Sequence, residues 1–428
     1  MIKKEEKQPE GKLAGQVMEE NTQIFRHSAG MANKFKSHMD FHFTRVLSKE
    51  AYGGVATGEC FEAASHVVDG DFNSYTQAWL TTAKRVEAIA WDCLEKGHKV
   101  SAREAFMRAM TYWGCVGMYT GDKDPLTKES TIRTRLLFKE AGKLSDPIIE
   151  PVDIPYENGR VMKGYFIRGG APGEKRPTLI GMGGGENYLE EVYHQCGAGA
   201  VRRGYNSLII EVPGQKAAIW ENPDLYWRWD AEVPIGYAVD YALTRPEVDP
   251  DRIVLIGHSV GGYYVTRAAC FEKRIAAIIS SPVIWDMQSG MLAVLGFDPT
   301  KPYPRDMESQ IDPGNTTAKF ILEGDFRARC GHANTTIAEW MDYLGTHSVL
   351  GLEDKITCPV LNMVGAGEYG PEKLVEERHH FAMLKNPLNR FNLTTAAEGG
   401  EQHCTENNLF LKNQLEMDWL DELFGFNK

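Results

Sequence analysis

The sequence predicts an α/β fold: a mostly parallel sheet with helices on both faces, preceded by a helical N-terminal domain. Three observations carry this. From about residue 150 onward, short continuous apolar runs alternate with helical stretches, the texture of parallel strands buried on both faces. From about 70 to 145, apolar residues instead recur at spacings of three and four, as on the buried face of a helix. Finally, the strand-like run "RIVLIG" passes directly into a glycine-rich bend and a helix, "GHSVGGYYVTRAA".

The helical part comes first in the chain. "SYTQAWLTTAKRVEAIAWDCLEKG" sets Trp79, Ala83, Val86, Ile89 and Ala90 on one stripe. "SAREAFMRAMTYWGCVGMY" opens on Ser101 with Glu104 three residues later, the pattern of a capping box. "STIRTRLLFKEAGKL" is a third helix. Residues 1–148 are therefore assigned to a mostly helical domain whose first 20 or so residues are loose.

Residues 149–428 form the second domain. Strands are expected in "VMKGYFIRGG", "PTLIGMGGG", "NSLIIEVPG", "RIVLIG", "RIAAIISSP", "CPVLNMVG" and "RFNLTTA", with a helix in "EVPIGYAVDYALTRP". Residues 287–356 break the rhythm and contain two helical stretches, "SGMLAVLGF" and "TTIAEWMDYLG". A long insertion between parallel strands belongs at the ligand-binding end, so it is expected to be a lid.

Composition narrows the function. A chain of 428 residues with 43% hydrophobic and 10% aromatic content can build a substantial core, which argues against global disorder. A formal charge of −12 argues against a dedicated nucleic-acid binder. The eight cysteines are scattered without a CxxC pair, which points to reduced thiols in a cytoplasmic protein. "MIKKEEKQPEGKLAGQ" lacks the apolar run of a signal peptide, and no stretch reaches the roughly 18 apolar residues of a membrane span. No metal-ligand spacing and no phosphate-cradling glycine motif occurs, so neither a metal nor a cofactor is expected.

The bend around Ser259 carries the chemistry. "GHSVGG" fits the G-x-S-x-G pattern with Gly257 and Gly261 in the glycine positions, a strand-to-helix turn that holds up a serine nucleophile. The following helix aims its N-terminal amides at the place where negative charge would develop. The pattern alone also fits a glycine turn without chemistry; the flanking strand and helix favour the nucleophile. The base must then lie late in the chain. His379 and His380 sit in "PEKLVEERHHFAMLKNP", a surface helix, whereas His403 sits in the loop "EGGEQHC" after the last strand and is the expected base. No aspartate occurs from residue 355 to 417, so Glu368 is the expected acid, with Asp286 the alternative. Val260 and Gly185, the latter in "GMGGGENYLEE", are the expected amide donors of an oxyanion hole.

Together "GGGENYLEEVY", "EVPGQ", "VDPDRIVLIGHSVGGYYVTRAA", "EGGEQHC" and "SAREAFMRAMTYW" resemble the α/β hydrolase superfamily. Within it, the chain is similar to the group containing 2,6-dihydroxypseudooxynicotine hydrolase, FrsA-like esterases and fungal polyketide-shortening hydrolases. The resemblance implies an α/β-hydrolase fold, a Ser259–His403–acid triad and a homodimer. It also implies an auxiliary glutamate near the oxyanion turn, at Glu190 or Glu191, with Glu190 the better match. Two positions depart from the family pattern: Glu368 stands where Asp is frequent, and Glu186 where a "GGxD" motif would place Asp.

Such a triad cleaves esters, amides or C–C bonds beside carbonyls. Aromatic residues Trp220, Tyr226, Trp227 and Trp229, with Met291, Leu292, Leu295 and Trp340 in the insertion, suit a planar or hydrophobic small molecule as substrate. Arg228, Arg327 and Arg329 could meet an anionic group on it. An acyltransferase or cyclase using the same residues is the alternative, and a non-catalytic interaction protein has no use for both Ser259 and His403.

Overall fold

The computed structural model describes residues 35–368 and 370–427; the N-terminal stretch expected to be loose lies outside them. Among the described residues, eight strands make one sheet in the order β1-β2-β4-β3-β5-β6-β7-β8. They are β1 Ile149–Pro155, β2 Val161–Ile167, β3 Arg176–Met182, β4 Asn206–Ile210, β5 Val248–His258, β6 Ala277–Ser281, β7 Val360–Gly365 and β8 Arg390–Thr394. β2 pairs antiparallel with β1 and β4, and the remaining pairings are parallel. β4, β6 and β7 are buried along their whole lengths and β3 along all but its first residue, as helices on both faces require.

β1 is the strand that sequence patterning did not assign. It contains Pro151 and Pro155, which cannot donate to a ladder, and it is tolerated because it lies at the sheet edge.

The helices Phe72–Glu95 and Lys99–Val116 form an antiparallel pair, and Pro125–Lys143 packs on the second. Asp71 caps the first through the amides of Asn73 and Ser74. Trp79, Ala83, Val86 and Ala90 are buried as the stripe predicts, while Ile89 is exposed. The second helix begins at Lys99, so Ser101 lies inside it and the expected capping box does not form. A further helix, Met39–Ser48, precedes them and is buried over most of its surface. Apolar side chains from Phe35 to Leu420 join in one continuous core, so the N-terminal helices and the sheet share a single buried interior.

Within 287–356 run the helices Met287–Leu295, Thr316–Glu323, Phe326–Arg329 and Ile337–Leu344. They lie over the C-terminal ends of the parallel strands, where the loops after β3, β5, β6 and β7 also converge.

Candidate active site

Ser259 follows β5 and precedes the helix Val260–Phe271 with φ 55° and ψ −119°. A non-glycine residue there costs about 1–3 kcal/mol, which the surroundings offset by fixing both neighbours. The Ser259 amide donates to Ser281 O at 2.8 Å, and its carbonyl accepts from Gly262 N at 2.7 Å. Only glycine fits beside it: a Cβ on Gly257 would come within 2.0 Å of Gly261 O.

Glu368 and His403 meet beyond the ends of β7 and β8. His403 Nδ1 lies 2.6 Å from Glu368 Oε2, and both residues are almost fully buried. The other carboxylate oxygen accepts the amides of Gly365 (2.8 Å) and Cys404 (3.1 Å). With these three donors around it the carboxylate acts as an acceptor, so the imidazole carries its proton on Nδ1 and presents Nε2 elsewhere. Cys404 Sγ also lies 2.8 Å from Ser281 O. One carbonyl at the end of β6 thus ties the His403 loop to the Ser259 turn.

The glycine loop after β3 closes in from the other side. A Cβ on Gly184 would stand 2.7 Å from Ser259 Cβ, and one on Gly185 would strike the Phe326 ring at 2.7 Å. The Gly184 amide is spent on Asn187 Oδ1 at 2.6 Å. Arg329 is wholly internal: it donates to Gly185 O at 2.7 Å and pairs with Asp122. Arg228 and Arg327 are likewise paired within the protein, and none of the three lines the cavity described next.

Ser259, Val260 and His403 line one cavity of about 1050 Å³ of empty space, its open mouth included. Its walls are mostly apolar: Trp227, Val283, Trp285 and Ile321, with Met291 and Trp340 from the insertion. Of the other aromatics singled out by sequence, Tyr226 and Trp229 are exposed instead. Asp286 lines the cavity but caps the helix Met287–Leu295 through the Gln288 and Ser289 amides. Glu368, not Asp286, is the carboxylate on His403.

Residues 181–392 match the model of the alpha/beta hydrolase family. The chain has the alpha/beta-hydrolase fold. It is 31% identical over 268 residues to Hydrolyase poxO of Penicillium oxalicum, covering 59% of this chain and 62% of that one, a little under two thirds of the relative's length. Hydrolase ORFZ of Pyricularia oryzae is 27% identical over 91% of this chain and 97% of its own. Among solved structures, 2,6-dihydroxy-pseudo-oxynicotine hydrolase has the same fold, with TM-score 0.65 and 20% identity over 90% of this chain and 96% of its own. AbyA5 gives TM-score 0.61 at 17% identity over 89% of this chain and 95% of its own.

Three features of this site escape sequence reasoning. Glu190, expected as an auxiliary, turns away from the Ser259 cavity: it accepts the Tyr165 hydroxyl at 2.8 Å and faces Arg135. Burial raises its pKa, with Arg135 opposing. The residue that does line the cavity from this loop is Glu186, paired at 3.1 Å with Arg45 of the helix Met39–Ser48. Arg45 also grips Glu191 with two hydrogen bonds (2.8 and 2.6 Å), and Glu191 takes a third from Asn187 at 2.8 Å. A buried chain of contacts thereby runs from Arg45 through Glu191 and Asn187 to the Gly184 amide. The same helix reaches the His403 loop, where Thr44 donates to Gln402 at 2.7 Å. The third is His380, which lines the cavity although its helix reads as a surface element.

Proposed function

We propose that this alpha/beta hydrolase is a serine hydrolase of a small, hydrophobic or aromatic carbonyl compound, acting through Ser259, His403 and Glu368. The observation that carries the reading is that a serine held at positive φ and a carboxylate-bound histidine open onto one apolar cavity.

In this reading His403 Nε2 takes the Ser259 proton as Oγ attacks the substrate carbonyl. The Val260 and Gly185 amides stabilise the oxyanion, each donor contributing about 3 kcal/mol. Collapse breaks the acyl bond, and the imidazolium returns the proton to the leaving group. Water, deprotonated by the same imidazole, then releases the acid from Ser259. Glu368 keeps the imidazole in the required tautomer throughout. An ester or amide gives an alcohol or amine as leaving group. A C–C bond breaks on this machinery when the departing carbanion is stabilised by a second carbonyl or a phenol ring, so 1,3-dicarbonyl and acyl-phenol compounds belong in the same substrate class. The relatives' designation as hydrolases supports the reading. The eight cysteines are all thiols, and a cytoplasmic homodimer is part of the same proposal.

The experiment is intact-protein mass after treatment with a fluorophosphonate probe. One adduct on the wild type and none on Ser259→Ala is the expected outcome. A folded wild type that takes up no probe overturns the reading.

A further inference from the structure

The helix Pro371–Phe381 is not used by the chemistry above, yet one of its faces lines the same cavity. Lys373, Glu376, Glu377 and His380 follow at three, four and seven residues and all reach it, as one stripe of a helix does. They make a polar end to an otherwise apolar space.

Glu377 is the buried member, only 3% exposed. Its Oε2 accepts the Trp285 indole N–H at 2.9 Å, while Oε1 has the Lys373 ammonium no nearer than 3.9 Å, beyond hydrogen-bond reach. The ammonium is engaged instead by Glu376 at 3.1 Å. His380 Nδ1 is buried without a hydrogen-bond partner among the described residues. Its Nε2 lies 3.8 Å from Glu376. Two polar groups on one cavity wall thus retain hydrogen-bonding capacity, and unmade bonds of this kind cost about 1–3 kcal/mol each until something fills them.

Charge decides what that is. A carboxylate would face the Glu376 carboxylate, and an ammonium would compete with Lys373, which is already paired. A neutral hydroxyl meets neither objection, since it can donate to one partner and accept from the other. Burial pushes Glu377 up to about 8, which favours the protonated acid near neutrality, able to donate as well as accept.

We propose that Glu377 and His380 form a subsite for a hydroxyl or enol group at the far end of the substrate from the reacting carbonyl. The substrate class becomes an apolar body with a carbonyl at Ser259 and a neutral hydroxyl at the helix Pro371–Phe381. The assignment of ends rests on the serine-hydrolase reading.

The test uses full-length Ser259→Ala protein and calorimetric titration with a homologous series of alkan-2-ones and their ω-hydroxy counterparts. At the chain length that spans the cavity, the hydroxylated ketone is expected to bind about tenfold tighter than its parent, the scale of one good hydrogen bond in a buried site. Glu377→Leu in the same background removes the difference and leaves the parent ketone's affinity in place; Glu377→Gln, which keeps a donor and an acceptor, retains most of it. Absence of any hydroxyl preference across the series overturns the proposal, as does a preference that survives both Glu377→Leu and His380→Leu. Fluorophosphonate labelling of the wild type reads the hydrolase assignment separately. Labelling without hydroxyl preference sinks the subsite alone, and preference without labelling sinks the chemistry alone.

Discussion

Glu190 and Glu191 are neighbours in the chain, yet each belongs to a different ionic cluster. Glu191 joins Glu186, Arg45 and Lys49, two carboxylates against two cations among the described residues, beside the Ser259 cavity. Glu190 joins Glu211, Glu221 and Arg135, three carboxylates against one cation, beneath the helix Pro125–Lys143. The balanced cluster holds Glu191 ionised. Burial acts to raise Glu191, but Arg45 and Lys49 outweigh it and keep the carboxyl below its ordinary range. In the acid-rich cluster burial prevails, and Glu211 rises to about 7 despite Arg135, with Glu190 adding to the rise. Both clusters fasten the N-terminal helices to the sheet. The first continues into the loop that borders the cavity, so its paired charges stand where geometry matters most.

The largest effect comes from a change that touches neither cluster. Glu368→Gln is expected to lower kcat by roughly 10⁴-fold with little change in Tm. The amide oxygen would remain on the Gly365 and Cys404 amides, turning its NH2 toward His403 Nδ1 and enforcing the wrong tautomer. Steady-state hydrolysis of an aryl ester measures it, and a loss under tenfold would remove Glu368 from the triad.

Arg45→Met separates the clusters next. It strands Glu186 and Glu191 in the interior and should destabilise the protein by about 3–5 kcal/mol. Activity should fall even at temperatures where the variant is folded, because Asn187 and Gly184 lose their anchor. Arg135→Met is the matched control. Its cluster can take up protons, so urea unfolding should show a smaller loss at pH 6 than at pH 8, and the folded variant should keep its turnover of the same ester. Equal effects of the two substitutions on turnover would erase the distinction.

The smallest effect is in the pH profile. The folded pKa of Glu211, about 7, lies above the ordinary glutamate value of 4.5, so the folded state holds the proton more tightly. Stability from this group therefore falls as pH rises from about 4.5 to about 7. Glu211→Gln should flatten that fall in urea titrations across the window. Glu191 acts in the opposite sense: its contribution is present above the unfolded value and is lost only as the pH drops through its lowered folded value.

Much of this architecture can be read without coordinates, and what escapes does so for identifiable reasons. Continuous runs such as "RIVLIG" betray buried parallel strands, and the strained turn at Ser259 needs glycines that a sequence displays. His403 and Glu368 follow because loops after the last strands converge at one sheet edge. The helix Met39–Ser48 escapes because Met39, Phe41 and Phe43 alternate like a strand; buried on most sides, it has no apolar stripe to show. Glu190 and Glu191 are indistinguishable in composition, and the turn before the helix-like segment decides which way each points. His380 is missed because a polar face reads as solvent-exposed whether it borders water or a cavity.

The brace formed by the helix Met39–Ser48 has a consequence for synthesis. Thr44 and its partner Gln402 are 358 positions apart, and Glu186 and Glu191 follow Arg45 by 141 and 146. A chain made from its N-terminus emerges from the ribosome with the bracket first and the bracketed parts last. Loop closure over such spans is slow, so the histidine loop arrives late, ahead only of the helix Leu409–Phe424, and a nascent chain stalled before it carries all eight strands and lacks His403.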